Sequence, residues 1–226
     1  MRSLIVWFVV FGLFLGACKE KEKDTKSKTI AAEQEVITKK PVSPIIKEMA
    51  EFANIRFFDS ITANQIFSCK EIDNDGFIKT IDKEKAIYLY NVLLKHERAI
   101  SWPIFEIKEA DTAILVVEGI GFGGAIWAKV LVDRNSLEIK KIEFGHKAES
   151  DGYGKSMTQS SFENKFIGTI IDVDKNTFTL QKNLEKRIDD GKVIDGITGA
   201  TMTSKAVIDM LNLGFKKYRA YLIPNT

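Results

Sequence analysis

The spacing of apolar positions changes along the chain, and each change marks a different element. After Arg2 comes a continuous apolar run from Leu4 to Leu15, broken by Gly12; residues 19–40 are then nearly all polar or charged, with no aromatics. From Pro44 a helical spacing predicts a short helix over Ile45 to Phe52, followed by extended stretches around Arg56 to Phe58 and Gln65 to Ile72. A second helix is signalled by Asp82 as N-cap, Glu84 in the first turn, and Ile87, Tyr90, Val92, Leu93 and Leu94 on roughly one face. His96 at its end is placed to settle the last carbonyls or the surface. From Ile104 the period becomes two. Ala113–Val117, Ile126–Val132 and Ile139–Phe144 read as three sequential antiparallel strands, the last pair joined by the turn Asp133–Ser136. Phe162–Ile170, Phe178–Leu180 and Val193–Ile194 are short extended or mixed pieces, and the chain closes with a helix over about Ser204 to Tyr221. The expected fold is α+β: a single domain with a mostly antiparallel twisted sheet flanked by helices.

The first apolar run is too short for a permanent membrane helix, but it has the charged start, apolar middle and small-residue exit of a secretory signal. Leu15, Gly16, Ala17 and Cys18 resemble the bacterial lipoprotein signal, in which the cysteine is lipidated and becomes the mature N-terminus. The implied organisation is a signal peptide over 1–17, a lipidated flexible spacer over 18–43 and a globular domain over 44–226. Mixed charge keeps the spacer solvated and lets the domain stand off a lipid surface. Several acyl chains hold far more firmly than one. Lys19 after the cysteine, in place of the aspartate associated with inner-membrane retention in enteric bacteria, favours the outer membrane, facing the periplasm or the cell surface.

Composition narrows the function classes further. The 226 residues carry 33 Lys and Arg against 31 Asp and Glu, a net charge of +2, so no broad basic field exists to attract nucleic acid. Two cysteines and two histidines leave few ligands for a metal centre and no disulfide framework. Cys69, in an apolar strand-like segment, reads as a small buried hydrophobe.

Three segments could carry chemistry. Gly119-Ile120-Gly121-Phe122-Gly123-Gly124 formally matches a dinucleotide fingerprint, but a strand rather than a helix follows, so it reads as a tight hairpin open to a flat ligand or another backbone. The loop from His146 to Gly154 holds a histidine and acids, which fits either acid–base chemistry or a solvated polar loop. Asp195-Gly196-Ile197-Thr198-Gly199-Ala200-Thr201-Met202-Thr203-Ser204-Lys205 leads into the last helix. Its small residues and hydroxyls suit either phosphate binding at the helix start or plain capping. No His or Cys sits nearby in sequence to activate a threonine hydroxyl, which argues against self-contained hydrolase chemistry.

Asp195-Gly196-Ile197-Thr198-Gly199-Ala200-Thr201 resembles the flavinylation motif of the FMN-binding domain family, which includes one subunit of the sodium-pumping NADH:quinone reductase and one of the Rnf complex. That motif reads Asp, two variable residues, Ser or Thr, Gly, Ala, Thr, and the match is complete. Gly123, Gly124, Ile126 and Trp127 look like the family's glycine-rich hairpin, and Glu149 to Gly154 look like its Glu-Thr-Pro-Gly-Leu-Gly loop, departing at Ser150, Asp151 and Tyr153. The resemblance covers about residues 114–220.

The resemblance implies FMN joined by its phosphate to a threonine hydroxyl, installed from FAD by a separate magnesium-dependent flavin transferase. Thr201 aligns with the acceptor, with Thr203 the second candidate. It further implies that Gly199 and Ala200 leave room for the phosphate, with Thr198 beside them among the cofactor-binding residues, that the helix start near Thr203 and Ser204 donates N–H groups to it, and that Asp195 orients the loop or marks it for the transferase. Gly123, Gly124 and Trp127 are expected to face the isoalloxazine, with Trp127 either turned inward or held in the core, and Glu149 and the Gly152 to Gly154 turn to border the ring or phosphate. The implied function is electron relay between redox donor and acceptor proteins or quinone rather than stand-alone catalysis. Two alternatives remain, a flavin-dependent reductase of a small acceptor and a non-redox binding or assembly lipoprotein.

Overall fold

In the computed structural model, residues 42–56, 65–181 and 191–223 are described; the leader, nearly all of the spacer and the expected extended stretch at 57–58 lie outside them. Helix α1 (Pro44–Phe52) opens on proline, whose missing N–H costs nothing at a helix start, and buries Ile46, Met49, Ala50 and Phe52. Strands β1 (Phe67–Asp73) and β2 (Ile78–Thr80) follow as a hairpin. Helix α2 (Lys83–Leu94) starts as expected, the Asp82 carboxylate accepting the Lys85 N–H at 2.7 Å. Its buried face is Ala86, Leu89, Tyr90, Val92 and Leu93, whereas Ile87 and Leu94 are half-buried. At its end His96 takes a left-handed φ of 53°, and the N–H groups of His96 and Glu97 bond the carbonyls of Leu93 and Val92. The last carbonyls are thus settled by backbone. The His96 ring instead pairs with Glu118, Nδ1 to Oε2 at 2.6 Å.

Strands β3 (Ser101–Ile107), β4 (Thr112–Ile120), β5 (Ala125–Asp133) and β6 (Ile139–His146) complete a six-stranded sheet of order β2-β1-β3-β4-β5-β6, antiparallel throughout. The three strands read from alternation are β4, β5 and β6. β3, buried along its whole length, belongs to the same sheet, and its lack of polar–apolar alternation follows from burial on both faces. The Asp133 turn forms as expected, its Oδ1 accepting the N–H groups of Asn135 and Ser136.

Helices cover both faces. On one, Lys129 of β5 is buried between Glu48 of α1 at 2.7 Å and Glu143 of β6 at 3.0 Å, above the Phe52 ring. On the other lie a 3-10 turn (Gly154–Thr158), α3 (Ser160–Glu163), the parallel pair β7 (Phe178–Leu180) and β8 (Lys192–Ile194), and helix α4 (Thr201–Lys217), followed by α5 (Arg219–Leu222). The piece expected as extended or mixed at Phe162–Ile170 is the end of α3 followed by turns and a single β-bridge from Ile170 to Glu138, and Phe144, Phe162, Phe166, Phe178 and Phe215 pack in succession with ring centroids 5.0–6.4 Å apart. Asn212 of α4 is buried, and its amide accepts the Phe178 N–H at 3.0 Å and donates to the Phe178 carbonyl at 2.9 Å. That pair of bonds fixes β7, and through it β8, which leads directly into the segment before α4.

Candidate functional site

The segment between β8 and α4 is a tight turn held by its own side chains. Ala200 N–H bonds the Ile197 carbonyl at 3.0 Å, and Gly199 has φ of 76°, the left-handed third residue of a type II turn. A methyl group at Gly199 would also lie 2.9 Å from the Tyr153 ring. Ser204, fully buried, donates its hydroxyl to the Ala200 carbonyl at 2.9 Å and accepts the Ile197 N–H at 2.8 Å. This lashing starts the helix at Thr201, two or three residues earlier than the hydrophobic pattern indicates. Ala200 is the N-cap and makes no side-chain cap, so the first-turn N–H groups and the positive end of the helix dipole face outward beside Thr201.

Thr201 and Thr198 are not buried, whereas Thr203 is. The Thr203 hydroxyl donates to Glu149 Oε2 at 2.8 Å, and Glu149 Oε1 accepts the Gly123 N–H at 2.8 Å. One buried carboxylate therefore ties together the three motifs: the glycine hairpin, the loop after β6 and the start of α4. Hydrogen bonds to a charged group contribute about 1.5–3 kcal/mol each. The Glu149 N–H is itself donated to His146 Nδ1 at 3.1 Å, which orients the loop and gives the histidine a positioning contact.

Close packing around this carboxylate explains the glycines. A methyl group on Gly121 would come within 2.3 Å of Glu149 Oε1, one on Gly154 within 2.0 Å of Oε2, and one on Gly123 within 2.1 Å of the Ala148 carbonyl oxygen. The hairpin itself closes by Gly121 N–H donating to the Gly124 carbonyl at 2.7 Å.

A cavity of about 360 Å³ lies over this arrangement, walled by Phe122, Glu149, Ser150, Tyr153, Gly154 and residues 199–203. Phe122 and Tyr153 are exposed aromatics that help to wall it. Phe122 was not singled out in the sequence and Tyr153 only as part of the Gly152 to Gly154 turn, although each is a large aromatic with glycine on both sides, Gly121-Phe122-Gly123 and Gly152-Tyr153-Gly154. A neighbouring cavity of about 400 Å³ runs between β4 and α4 and shares Phe122 and Met202 with the first. In the loop, the Lys155 ammonium 2.6 Å from Asp151 holds that carboxyl below the usual range.

Of the residues singled out in the sequence, Glu149, Gly199, Ala200, Thr201 and Thr203 meet at the cavity, and Gly123 and Ser204 support it from behind. Gly124 and Gly152 lie at the turns, each with open space where a side chain would stand. The Asp195 carbonyl accepts the Lys165 ammonium at 2.9 Å, tying the motif's first residue to the turn after α3. Trp127 is not brought to this cavity. Gly119 faces Met210 of α4, so the adjacent Glu118–Trp127 pair points to the opposite face, and the Trp127 indole lies over Gly145 of β6. Of the two orientations the sequence left open for Trp127, this alternation gives the one turned away from the cavity.

Comparison with known proteins follows the same segments. Residues 121–216 match the family model described as the FMN-binding domain. Among solved structures, the NqrC subunit of Na(+)-translocating NADH-quinone reductase from Parabacteroides distasonis is similar, with TM-score 0.62 and 21% identity over 80% of this chain and 94% of that one. NqrC from Shewanella oneidensis gives TM-score 0.57 and 17% identity over 79% and 95%. No protein of curated function matches the sequence. The six-stranded antiparallel sheet with flanking helices is the fold of these NqrC proteins, and the stretch that matches the FMN-binding domain model, residues 121–216, carries the cavity-lining hairpin, loop and helix start.

Proposed function

We propose that this chain is a lipid-anchored electron carrier of the cell envelope that holds FMN through a phosphoester on Thr201. The observation that carries the reading is the exposed Thr201 at the first residue of an uncapped helix, beside a cavity walled by Phe122 and Tyr153. A phosphate there meets backbone N–H groups and the helix dipole. The two aromatics offer flat surfaces to a planar ring. Bound FMN would supply one- and two-electron transfer, with the protein supplying position.

The residues divide the work. Gly199 and Ala200 keep side chains away from the phosphate, Ser204 holds the turn, and Glu149 holds the hairpin against the helix. Among the described residues of the motif no base adjoins Thr201, which agrees with installation by a separate transferase. That transfer forms the threonine Oγ–phosphorus bond and breaks the pyrophosphate bond of FAD. AMP leaves with the bridging oxygen, the hydroxyl proton is released, and no electrons change hands. Cys18 supplies the anchor, the spacer supplies reach, and redox proteins or quinone supply and accept the electrons.

The test is coexpression of the full chain with a flavin transferase, followed by intact mass and in-gel fluorescence after denaturation. A mass gain of FMN less water, lost in Thr201→Val and kept in Thr203→Val, is expected. A wild-type chain without covalent flavin overturns the reading.

A further inference from the structure

We infer that Glu149 is a positioning residue that selects the flavin acceptor, withholding Thr203 and leaving Thr201 presented. The inference rests on the flavin reading above and goes beyond it by assigning a cause to the choice between two threonines two residues apart. Both threonines and Glu149 wall the same cavity, so position alone does not separate the two hydroxyls. Engagement does. The Thr203 hydroxyl is buried and spends its proton on Glu149 Oε2 at 2.8 Å, whereas Thr201 is exposed.

The carboxylate is held in place from three sides. Its other oxygen accepts the Gly123 N–H, and Gly121 and Gly154 pack so closely that a methyl group on either would strike it. Glu149 is therefore fixed against the Thr203 hydroxyl and does not swing into the cavity. Truncating it removes the acceptor that engages that hydroxyl and leaves the hydroxyl free beside the cavity that Thr203 already lines. Thr203 then becomes an acceptor in the same reaction, with the same bonds formed and broken and FAD still the donor. Glutamine keeps the hydroxyl occupied in a different way: its amide oxygen accepts the Gly123 N–H and its amide nitrogen donates to the Thr203 hydroxyl oxygen, engaging the lone pair that would attack phosphorus although the hydroxyl proton is released.

The experiment coexpresses full-length variants with a flavin transferase and reads covalent flavin by in-gel fluorescence and fragment mass mapping. Thr201→Val alone is expected to be flavin-free. Thr201→Val with Glu149→Ala is expected to regain flavin, mapped to Thr203, at about tenfold or more over the Thr201→Val background. Thr201→Val with Glu149→Gln is expected to stay flavin-free. Where Glu149→Ala fails to give a cooperative thermal transition, Glu149→Ser takes its place, since its side chain is likewise too short to reach the Thr203 hydroxyl and both threonines are left unaltered. Continued absence of flavin in the folded Thr201→Val/Glu149→Ala or Thr201→Val/Glu149→Ser chain overturns the inference while the wild type still carries flavin. A wild type without flavin overturns the flavin reading itself, and the inference with it.

Discussion

The Tyr218 hydroxyl, fully buried, donates to the Val116 carbonyl at 2.8 Å, with the Pro103 carbonyl at 3.0 Å as a second acceptor, and receives the Val116 N–H at 3.3 Å. It stands between β3 and β4 where their ladder ends, and so pins the C-terminal end of α4 to the middle of the sheet. The N-terminal end of the same helix carries Thr201, so this bond and the Glu149 clamp set the two ends of the element that holds the site.

Tyr218→Phe is expected to destabilise the fold by about 1–3 kcal/mol, because it leaves buried backbone groups without a partner. The urea midpoint should fall with an unchanged slope. A midpoint equal to that of the wild type would mean that the strands close on each other without the hydroxyl.

Asn212→Leu keeps much of the side-chain volume but removes both bonds to Phe178. The expected cost is about 2–3 kcal/mol, with faster hydrogen exchange at the Phe178 amide than at β5 amides. Unchanged protection at Phe178 would show that packing of the phenylalanine series alone holds β7.

Alkaline stability follows from three tyrosines. Burial is the largest cause that pushes Tyr90, Tyr218 and Tyr221 above the ordinary phenol value, with Glu48 and Glu106 adding to it at Tyr90 and Tyr221. A raised folded value means the folded chain keeps protons that the unfolded chain gives up. The stabilisation is whole below about pH 10 and is lost as pH rises beyond it. Urea midpoints measured from about pH 8 to about pH 11 should fall in the upper part of that range. Flat midpoints together with early tyrosinate absorbance would contradict the burial argument.

Burial also pushes the Cys69 thiol up to about 11, and the residue is only 3% exposed. With Cys18 replaced by serine, the folded chain at about pH 8 should resist a thiol reagent that reacts at once after denaturation. Rapid labelling of the native chain would place Cys69 in a region that opens readily.

Much of the architecture was legible locally. Asp82 capped the helix it was expected to cap, the alternation in 113–117 and 126–132 became paired strands, and the glycine cluster became their hairpin. These features depend on neighbours in sequence: a cap bonds three residues on, a strand repeats every two residues, and a turn closes over four. The early start of α4 was not legible, because it depends on Ser204 reaching back to Ile197 and Ala200, a local bond that hydrophobic periodicity does not register.

The sequence by itself determined which segments form the candidate site, since the Asp195–Thr201 motif and the Glu149 loop are read residue by residue. Tertiary structure alone decided how they meet. Period-two alternation is symmetric between the two faces of a sheet, so nothing in residues 125–133 says which face α4 will cover; the packing of Met210 on Gly119 turned Trp127 away. Glu149 lies 26 residues from Gly123 and 54 from Thr203, and its role exists only once the fold brings both within 2.8 Å. Phe122 and Tyr153 likewise become the walls of one cavity because two loops from different strands converge on the start of one helix.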